Sequence, residues 1–395
     1  MNKKSIMVFG VGELQKSIIE RAHKKDLFVV GIDPSEKAYC KNYVDAFEIV
    51  GAKDFNTTLD VARKYEVGGI LTAATDKPLV MMAKIAEVLH LPFFSIETAI
   101  SSTDKLLMKE KFQKAGIQCA RGELIDNYDI GKIKDFKFPV IVKPRDNSGS
   151  RGVIFCNDKH DLSKSLKEVF TYTTKDSILL EEYIPGKEYS VESIHFNGET
   201  KVIQYTEKIV TPAPYNVELG HIEPADISTD IKRRINILIS KMADVLGFQN
   251  CVSHTELKVN SSGIFIIETS PRLGGDFITS HLVPLSTGVN IEDSLIDISL
   301  GGNPDIIIKD NKISVVRFFN LEEGLSVISQ EGILKYLSTV PNYHFTFKLK
   351  TGEHVPRITN SLTRYGEIIY TVPSYDKIND IWRSVLSNVN KMVKQ

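Results

Sequence analysis

Three stretches of the chain carry residues whose types and spacing suit phosphate and metal chemistry. The first is Val140-Ile-Val-Lys143-Pro144, followed by Asn147-Ser148-Gly149-Ser150-Arg151-Gly152. A lysine ending an apolar strand can set its ammonium against a phosphate as a point charge. Gly149 and Gly152 let backbone N–H groups approach phosphate oxygens closely. A plain hairpin turn with a solvent-facing lysine fits the same loop, because glycine loops are common. The loop is not of the Walker A type, which ends in Gly-Lys-Ser/Thr and opens a helix. Here the residues after Gly152 read as a strand.

The second stretch is Ile178-Leu-Leu-Glu181-Glu182-Tyr183-Ile184, running into Pro185-Gly186. A linker of this kind presents backbone N–H and C=O groups to an adenine edge while apolar side chains sandwich the ring. Glu188 lies just beyond, placed to accept hydrogen bonds from ribose hydroxyls. A polar strand end with a solvated acidic turn is the competing account. The third stretch pairs Glu256, at the end of Cys251-Val-Ser-His-Thr-Glu256, with Glu268, at the end of Phe265-Ile-Ile-Glu268. Twelve residues separate them, with Ser261-Ser262-Gly263 between, so both can lie on one face of a hairpin. Mg2+ between the two carboxylates relieves their repulsion, being a hard cation that prefers oxygen. Arg272, four residues on, offers a fixed positive fork to a transferring group. A surface hairpin with unpaired acids is the alternative, weakened because acids in apolar strands need partners.

These residues need a scaffold, and the chain predicts one. Strands at Ser5–Phe9, Leu27–Ile32 and Gly69–Leu71, with a short apolar stretch at Phe47–Val50, alternate with helices at Leu14–Lys24, Thr57–Tyr65 and Met81–Leu89. That alternation argues for a parallel sheet covered on both faces, closing near residue 103. A helix over Lys105–Ala115 follows, with Ser102-Thr103-Asp104 as capping residues and Gly116 as its stop. Strands are predicted at Val140–Val142, Val153–Phe155 and Ile178–Leu180, with a helix over Asp161–Thr171. Tyr189–His195 and Lys201–Tyr205 form a hairpin around Asn197-Gly198. Asp230–Leu246 is a long amphipathic helix, and Val252–Leu257 pairs with Gly263–Glu268. Short strands such as Ser314–Phe319 and His344–Leu349 precede a closing helix near Lys377–Val393.

Lys plus Arg number 49 against 50 for Asp plus Glu in 395 residues. Such balance gives no electrostatic reason to expect a nucleic acid or membrane partner. The length suits two or three domains. Nothing near the N-terminus resembles a signal peptide, since Ser5-Ile-Met-Val-Phe-Gly10 is short and glycines follow. Cys40, Cys119, Cys156 and Cys251 are scattered and form no Cys-x-x-Cys pair, which points to a reduced cytoplasm. Gly10-Val-Gly12-Glu-Leu-Gln15 followed by Asp33 tempts a dinucleotide reading. Gln15 at the third glycine position argues against it, and a partial glycine motif is weak.

In order and spacing the three stretches resemble the ATP-grasp superfamily, and the resemblance covers most of the chain. It implies α/β and α+β architecture: a Rossmann-like pre-ATP-grasp domain (1–103), an ATP-grasp domain (104–300, with a lid over about 118–184) and a small C-terminal domain (301–395). By this resemblance Lys105 and Lys143 contact the nucleotide, Ser148, Gly149, Ser150 and Gly152 form the phosphate flap, and Glu181, Tyr183 and Ile184 form the adenine hinge. Glu188 matches the ribose acid, Glu256 and Glu268 the magnesium ligands, and Arg272 the catalytic arginine. Lys208 falls where several relatives place another phosphate- or substrate-facing lysine. The continuation from Arg272 to Val283 resembles carboxylate–amine ligases, particularly L-amino-acid ligases. Gly274, Gly275, Ser280, His281, Glu218 and His221 would then line the substrate pocket.

The resemblance implies ATP with Mg2+ (Mn2+ as an alternative), and a small-molecule carboxylate and amine as partners. Relatives often dimerise, so a homodimer is admitted. One position departs from the pattern. Asparagine is usual two residues after the second glutamate, and here Ser270 stands there, a shorter and poorer metal ligand. The expected reaction is amide formation through an acyl phosphate, releasing ADP. Bicarbonate activation, or ATP binding without catalysis, are the rival expectations.

Overall fold

A computed structural model describes residues 3–126, 136–147, 149–310 and 312–394. The chain forms two compact units that it enters alternately. The first comprises Met1–Cys119, Ser190–Tyr205 and Ile227–Lys309; the second Ala120–Tyr189, Thr206–Asp226 and Asp310–Gln395.

The first unit opens with a parallel sheet in the order Ala46–Ile49, Phe28–Asp33, Ser5–Phe9, Val67–Leu71. Ile6, Met7 and Val8 have no solvent exposure, as expected of a strand covered on both faces. The glycine-rich turn after Phe9 is filled by protein groups. Asp33 accepts from the N–H groups of Val11 and Ser35, and Gln15 accepts from the N–H of Gly12. The amide nitrogen of Gln15 also donates to the carbonyl of Ala73.

One local expectation is corrected here. Ser102 and Thr103 do not cap the helix Lys105–Lys114; they close a separate helix, Ile96–Thr103. Their hydroxyls bond back to the carbonyls of Thr98 and Ala99. Asp104 alone is extended (φ −115°), and its carboxylate accepts from the N–H groups of Leu106 and Leu107. Serine and threonine bond to helix carbonyls as readily as they cap, so the sequence did not separate these roles.

The same unit holds the antiparallel pair Cys251–Asn260 and Gly263–Ser270, beside the strand Lys187–Phe196. The turn at Asn197-Gly198 has φ of 53° and 76°, the double left-handed geometry a two-residue hairpin favours. Helix Thr229–Leu246 packs on helix Lys105–Lys114 and buries Ile235, Ile239 and Met242.

The second unit has two cores. One lies beneath the sheet Gly122–Asp126, Ser177–Glu182, Val140–Pro144, Ile154–Cys156, closed by helix Lys159–Phe170 and filled by Val140, Val142, Leu166 and Leu180. The other lies between the strands Ile313–Phe318 and Gly366–Val372 and the helices Gln330–Leu337 and Asp376–Asn390, around Phe319, Tyr370 and Trp382. Among the described residues no helix is long and apolar enough to cross a membrane.

Candidate active site

Each unit carries its own polar cluster. In the first unit, Glu256 and Glu268 stand directly opposite each other in the antiparallel register, so their side chains share one face. Like charges in that position repel. Two cations offset them. Lys105 Nζ lies 2.8 Å from Glu268 Oε1, its side chain 8% exposed. His254 Nε2 lies 3.5 Å from Glu256 Oε1, and His254 Nδ1 lies 2.6 Å from Glu192 Oε1. Burial by itself would lower the His254 pKa; the Glu192 carboxylate, with help from Glu256, outweighs it and pushes the ring up to about 9. An imidazolium at neutral pH therefore bridges a fully buried acid and Glu256.

Ser270 and Arg272 converge on Asp76, just past the carboxyl end of the parallel strand Val67–Leu71. Ser270 Oγ donates to Asp76 Oδ1 at 2.6 Å, and Arg272 Nε donates to the same oxygen at 2.8 Å. Burial would raise the Asp76 carboxyl, but Arg272, Ser270 and Lys105 hold it down at about 2. Gly274 backs this cluster. A Cβ there would lie 2.8 Å from His254 Nδ1 and 3.0 Å from Glu192 Oε2. Gly275 has ordinary room, its nearest neighbour being the Ala74 Cβ at 3.6 Å. Ser280 Oγ and His281 Nδ1 bond each other at 2.9 Å in the turn Ile278–Leu282.

The donors of the Glu256–Glu268 pair fit magnesium. Among the described residues no group of three or more His, Cys, Asp or Glu forms a ready-made metal cage. One or two carboxylates, with the remaining oxygens from substrate phosphates and water, is the donor set Mg2+ usually takes.

In the second unit, Lys143 Nζ lies 2.8 Å from Glu181 Oε2, both side chains 4% exposed. Their strands are hydrogen-bonded neighbours, which brings the lysine of the first stretch onto the acid of the second. Lys208 Nζ, equally buried, lies 3.0 Å from Glu188 and 3.3 Å from Glu218. Lys208 and His221 are cross-strand partners, and the His221 ring sits edge-on to Phe318. The glycine loop meets the same group: Ser150 Oγ lies 3.3 Å from Glu218, and Ser361 Oγ donates to the Gly149 carbonyl at 3.2 Å. Gly149, Ser150 and Gly152 all have positive φ, and a Cβ on Gly152 would strike the Tyr172 ring at 2.7 Å. Tyr183 stands edge-on to Phe155, and Ile184 is buried. Ser148 lies outside the described residues.

Sequence reasoning thus singled out Glu256, Glu268, Ser270, Arg272 and Lys105, which meet in the first unit. Lys143, Glu181, Glu188, Lys208, Glu218 and the loop from Gly149 to Gly152 meet in the second. It gave no role to Asp76, Glu192, His254 or Ser361. Asp76 carried a usable signal: a polar residue past the carboxyl end of a strand in an open parallel sheet sits where such folds bind ligands.

Residues 136–280 match the ATP-grasp domain model. Alanine–anticapsin ligase of Bacillus subtilis (strain 168) is 27% identical over 219 residues, which make up 49% of this chain and 46% of that protein. The chain thus spans about half the length of the curated relatives of this kind that it matches. Carbamoyl phosphate synthase large chain of Clostridium botulinum (strain Loch Maree / Type A3) is 24% identical over 247 residues, covering 61% of this chain and 22% of that protein. The crystal structure of L-amino acid ligase from Bacillus licheniformis superposes with a TM-score of 0.85 at 19% identity, covering 100% of this chain and 98% of that one.

Proposed function

Because this chain carries an ATP-grasp domain within a mixed α/β fold shared with an L-amino acid ligase, we propose that it is an ATP-dependent ligase joining a carboxylate to an amine. The carboxylate takes the γ-phosphoryl group of ATP to give an acyl phosphate and ADP. The amine then attacks the acyl carbon and phosphate leaves. The observation that carries this reading is the directly opposed Glu256–Glu268 pair with Lys105 beside it and Arg272 four residues on.

Glu256 and Glu268 would hold Mg2+, which when bound neutralises charge on the phosphates. Lys105 keeps Glu268 in place and adds a positive charge. Arg272 would stabilise the phosphoryl group in transfer and the acyl phosphate that it forms. In the second unit, Lys143 and Lys208 bind phosphate oxygens in exchange for their present carboxylate partners, and the loop from Ser148 to Gly152 covers them. Glu181, Tyr183 and Ile184 present the adenine hinge, and Glu188 the ribose contact. Glu218, His221, Gly274, Gly275, Ser280 and His281 are assigned to the substrates. The division into 1–103, 104–300 and 301–395 remains the proposed functional partition.

The test is phosphate release from Mg-ATP over a panel of carboxylates, with and without amino acids as amines. Release that requires both partners supports the ligase. Release with bicarbonate as the only acceptor installs the second reading, which the similarity to carbamoyl phosphate synthase favours. ATP binding without release on any acceptor points to a non-catalytic module.

A further inference from the structure

Arg272 does not reach its place unaided. Asp76 holds its guanidinium side-on, through Nε to Oδ1 at 2.8 Å and Nη2 to Oδ2 at 3.3 Å. The third nitrogen, Nη1, donates to the Leu273 carbonyl at 2.9 Å. A two-point carboxylate contact fixes the plane of the fork as well as its position. The loop bearing Asp76 is fastened in turn. Ala73 and Leu273 form an isolated parallel bridge, and the N–H of Ala74 donates to the Leu273 carbonyl at 3.2 Å. Gln15 ties the Ala73 carbonyl to the first glycine turn. Ala74 sits at φ 54°, a conformation an alanine keeps only where its surroundings over-determine it.

Ser270 completes this arrangement from the other side. Its hydroxyl donates to Asp76 Oδ1 at 2.6 Å, the oxygen that Arg272 Nε also uses. A hydroxyl on one carbon reaches that oxygen while keeping the strand in register with His254. An asparagine side chain is longer by one atom and would not make the same 2.6 Å contact unchanged.

We propose that Asp76 and Ser270 are positioning residues that set the guanidinium of Arg272, and that Ser270 serves this clamp rather than a metal ion. The role of Arg272 in turnover rests on the ligase reading; the clamp itself rests on the contacts above. The serine that departs from the family pattern is then a working part, and so is Gln15, which replaces the third glycine and secures the Asp76 loop.

The test compares Asp76→Asn, Ser270→Ala and Ser270→Asn in the wild-type and Arg272→Ala backgrounds. Asp76→Asn is expected to lower kcat by on the order of 10–100-fold, as loss of a supporting partner does at other sites. Ser270→Ala is expected to lower it about 5-fold, the worth of one hydrogen bond. The dissociation constant for ATP should stay within about 2-fold of wild type, since these side chains are assigned to the arginine and not the nucleotide. In the Arg272→Ala background neither change should lower the remaining rate further. Equal losses in both backgrounds would show a general structural role and overturn the clamp. Ser270→Asn should lower turnover without adding a bound Mn2+ in the ADP complex, counted by electron paramagnetic resonance; an added ion, or a faster enzyme, overturns the assignment of Ser270. A wild-type protein that releases no phosphate on any acceptor removes the ligase reading, and the clamp's catalytic role with it. A competent wild type with an unchanged Asp76→Asn removes the clamp alone.

Discussion

Gly274→Ala and Gly275→Ala add the same methyl group to adjacent residues and should differ widely in stability. At 274 the new Cβ meets His254 Nδ1 at 2.8 Å and Glu192 Oε2 at 3.0 Å, well inside ordinary contact. Neither neighbour gives way easily. Glu192 is fully buried, and its other oxygen bonds His254 at 2.6 Å. Overpacking a core with one methylene typically costs ~1–3 kcal/mol. If the charged pair opens to make room, the loss approaches the ~3–5 kcal/mol seen when a buried ion pair is broken. At 275 the nearest atom is 3.6 Å away, so the expected cost is within ~0.5 kcal/mol plus the gain from lost glycine freedom. Urea unfolding of the two variants beside wild type, at pH 7 and without nucleotide, reads the difference. A gap of ~2 kcal/mol or more with Gly274→Ala the weaker is expected. Equal midpoints and slopes would refute the packing argument and return Gly274 to a purely substrate-facing role.

Other consequences can be checked as directly. His195 is buried between Ser253 Oγ at 2.7 Å and Thr200 Oγ1 at 2.9 Å, and burial lowers its pKa to about 3. The unfolded chain binds that proton near pH 6.5, so stability is full above that value and falls as pH drops from 6.5 toward 3. Unfolding free energy should decline by ~2 kcal/mol between pH 7 and pH 5 from this group, and His195→Gln should flatten that part of the profile. Lys143→Met leaves Glu181 buried without the cation 2.8 Å away; it should destabilise the protein by ~3–5 kcal/mol and weaken ATP binding, whereas the double change Lys143→Met with Glu181→Gln should recover most of the stability and none of the binding. Arg272→Ala should keep ATP affinity near wild type and cut amide formation to a small residual rate, by on the order of 100–1000-fold; normal turnover would remove Arg272 from the mechanism.

What the sequence disclosed was local. Val140 to Lys143 reads as a strand from its own residues, and Glu256 and Glu268 fall opposite each other because a short turn fixes their register. The Asn197-Gly198 hairpin follows from two residue types alone. What it withheld was distant. Asp76 and Arg272 are 196 positions apart, and nothing in either neighbourhood names the other. Glu192 reads as one of several polar residues in the strand Lys187–Phe196 until the fold brings His254 to it. Ser361, in a short turn of the second unit, reaches the glycine loop 212 residues earlier. Local chemistry also misled at Ser102 and Thr103, where the hydroxyls serve the preceding helix.

The central claim is that a carboxylate is activated as an acyl phosphate and then captured by an amine. Isotope transfer tests it most directly. With a substrate carboxylate fully labelled with 18O, one labelled oxygen should appear in each phosphate released with the amide, because the carboxylate oxygen that attacks the γ-phosphorus leaves with it. Phosphate that carries no label while amide forms would contradict the account.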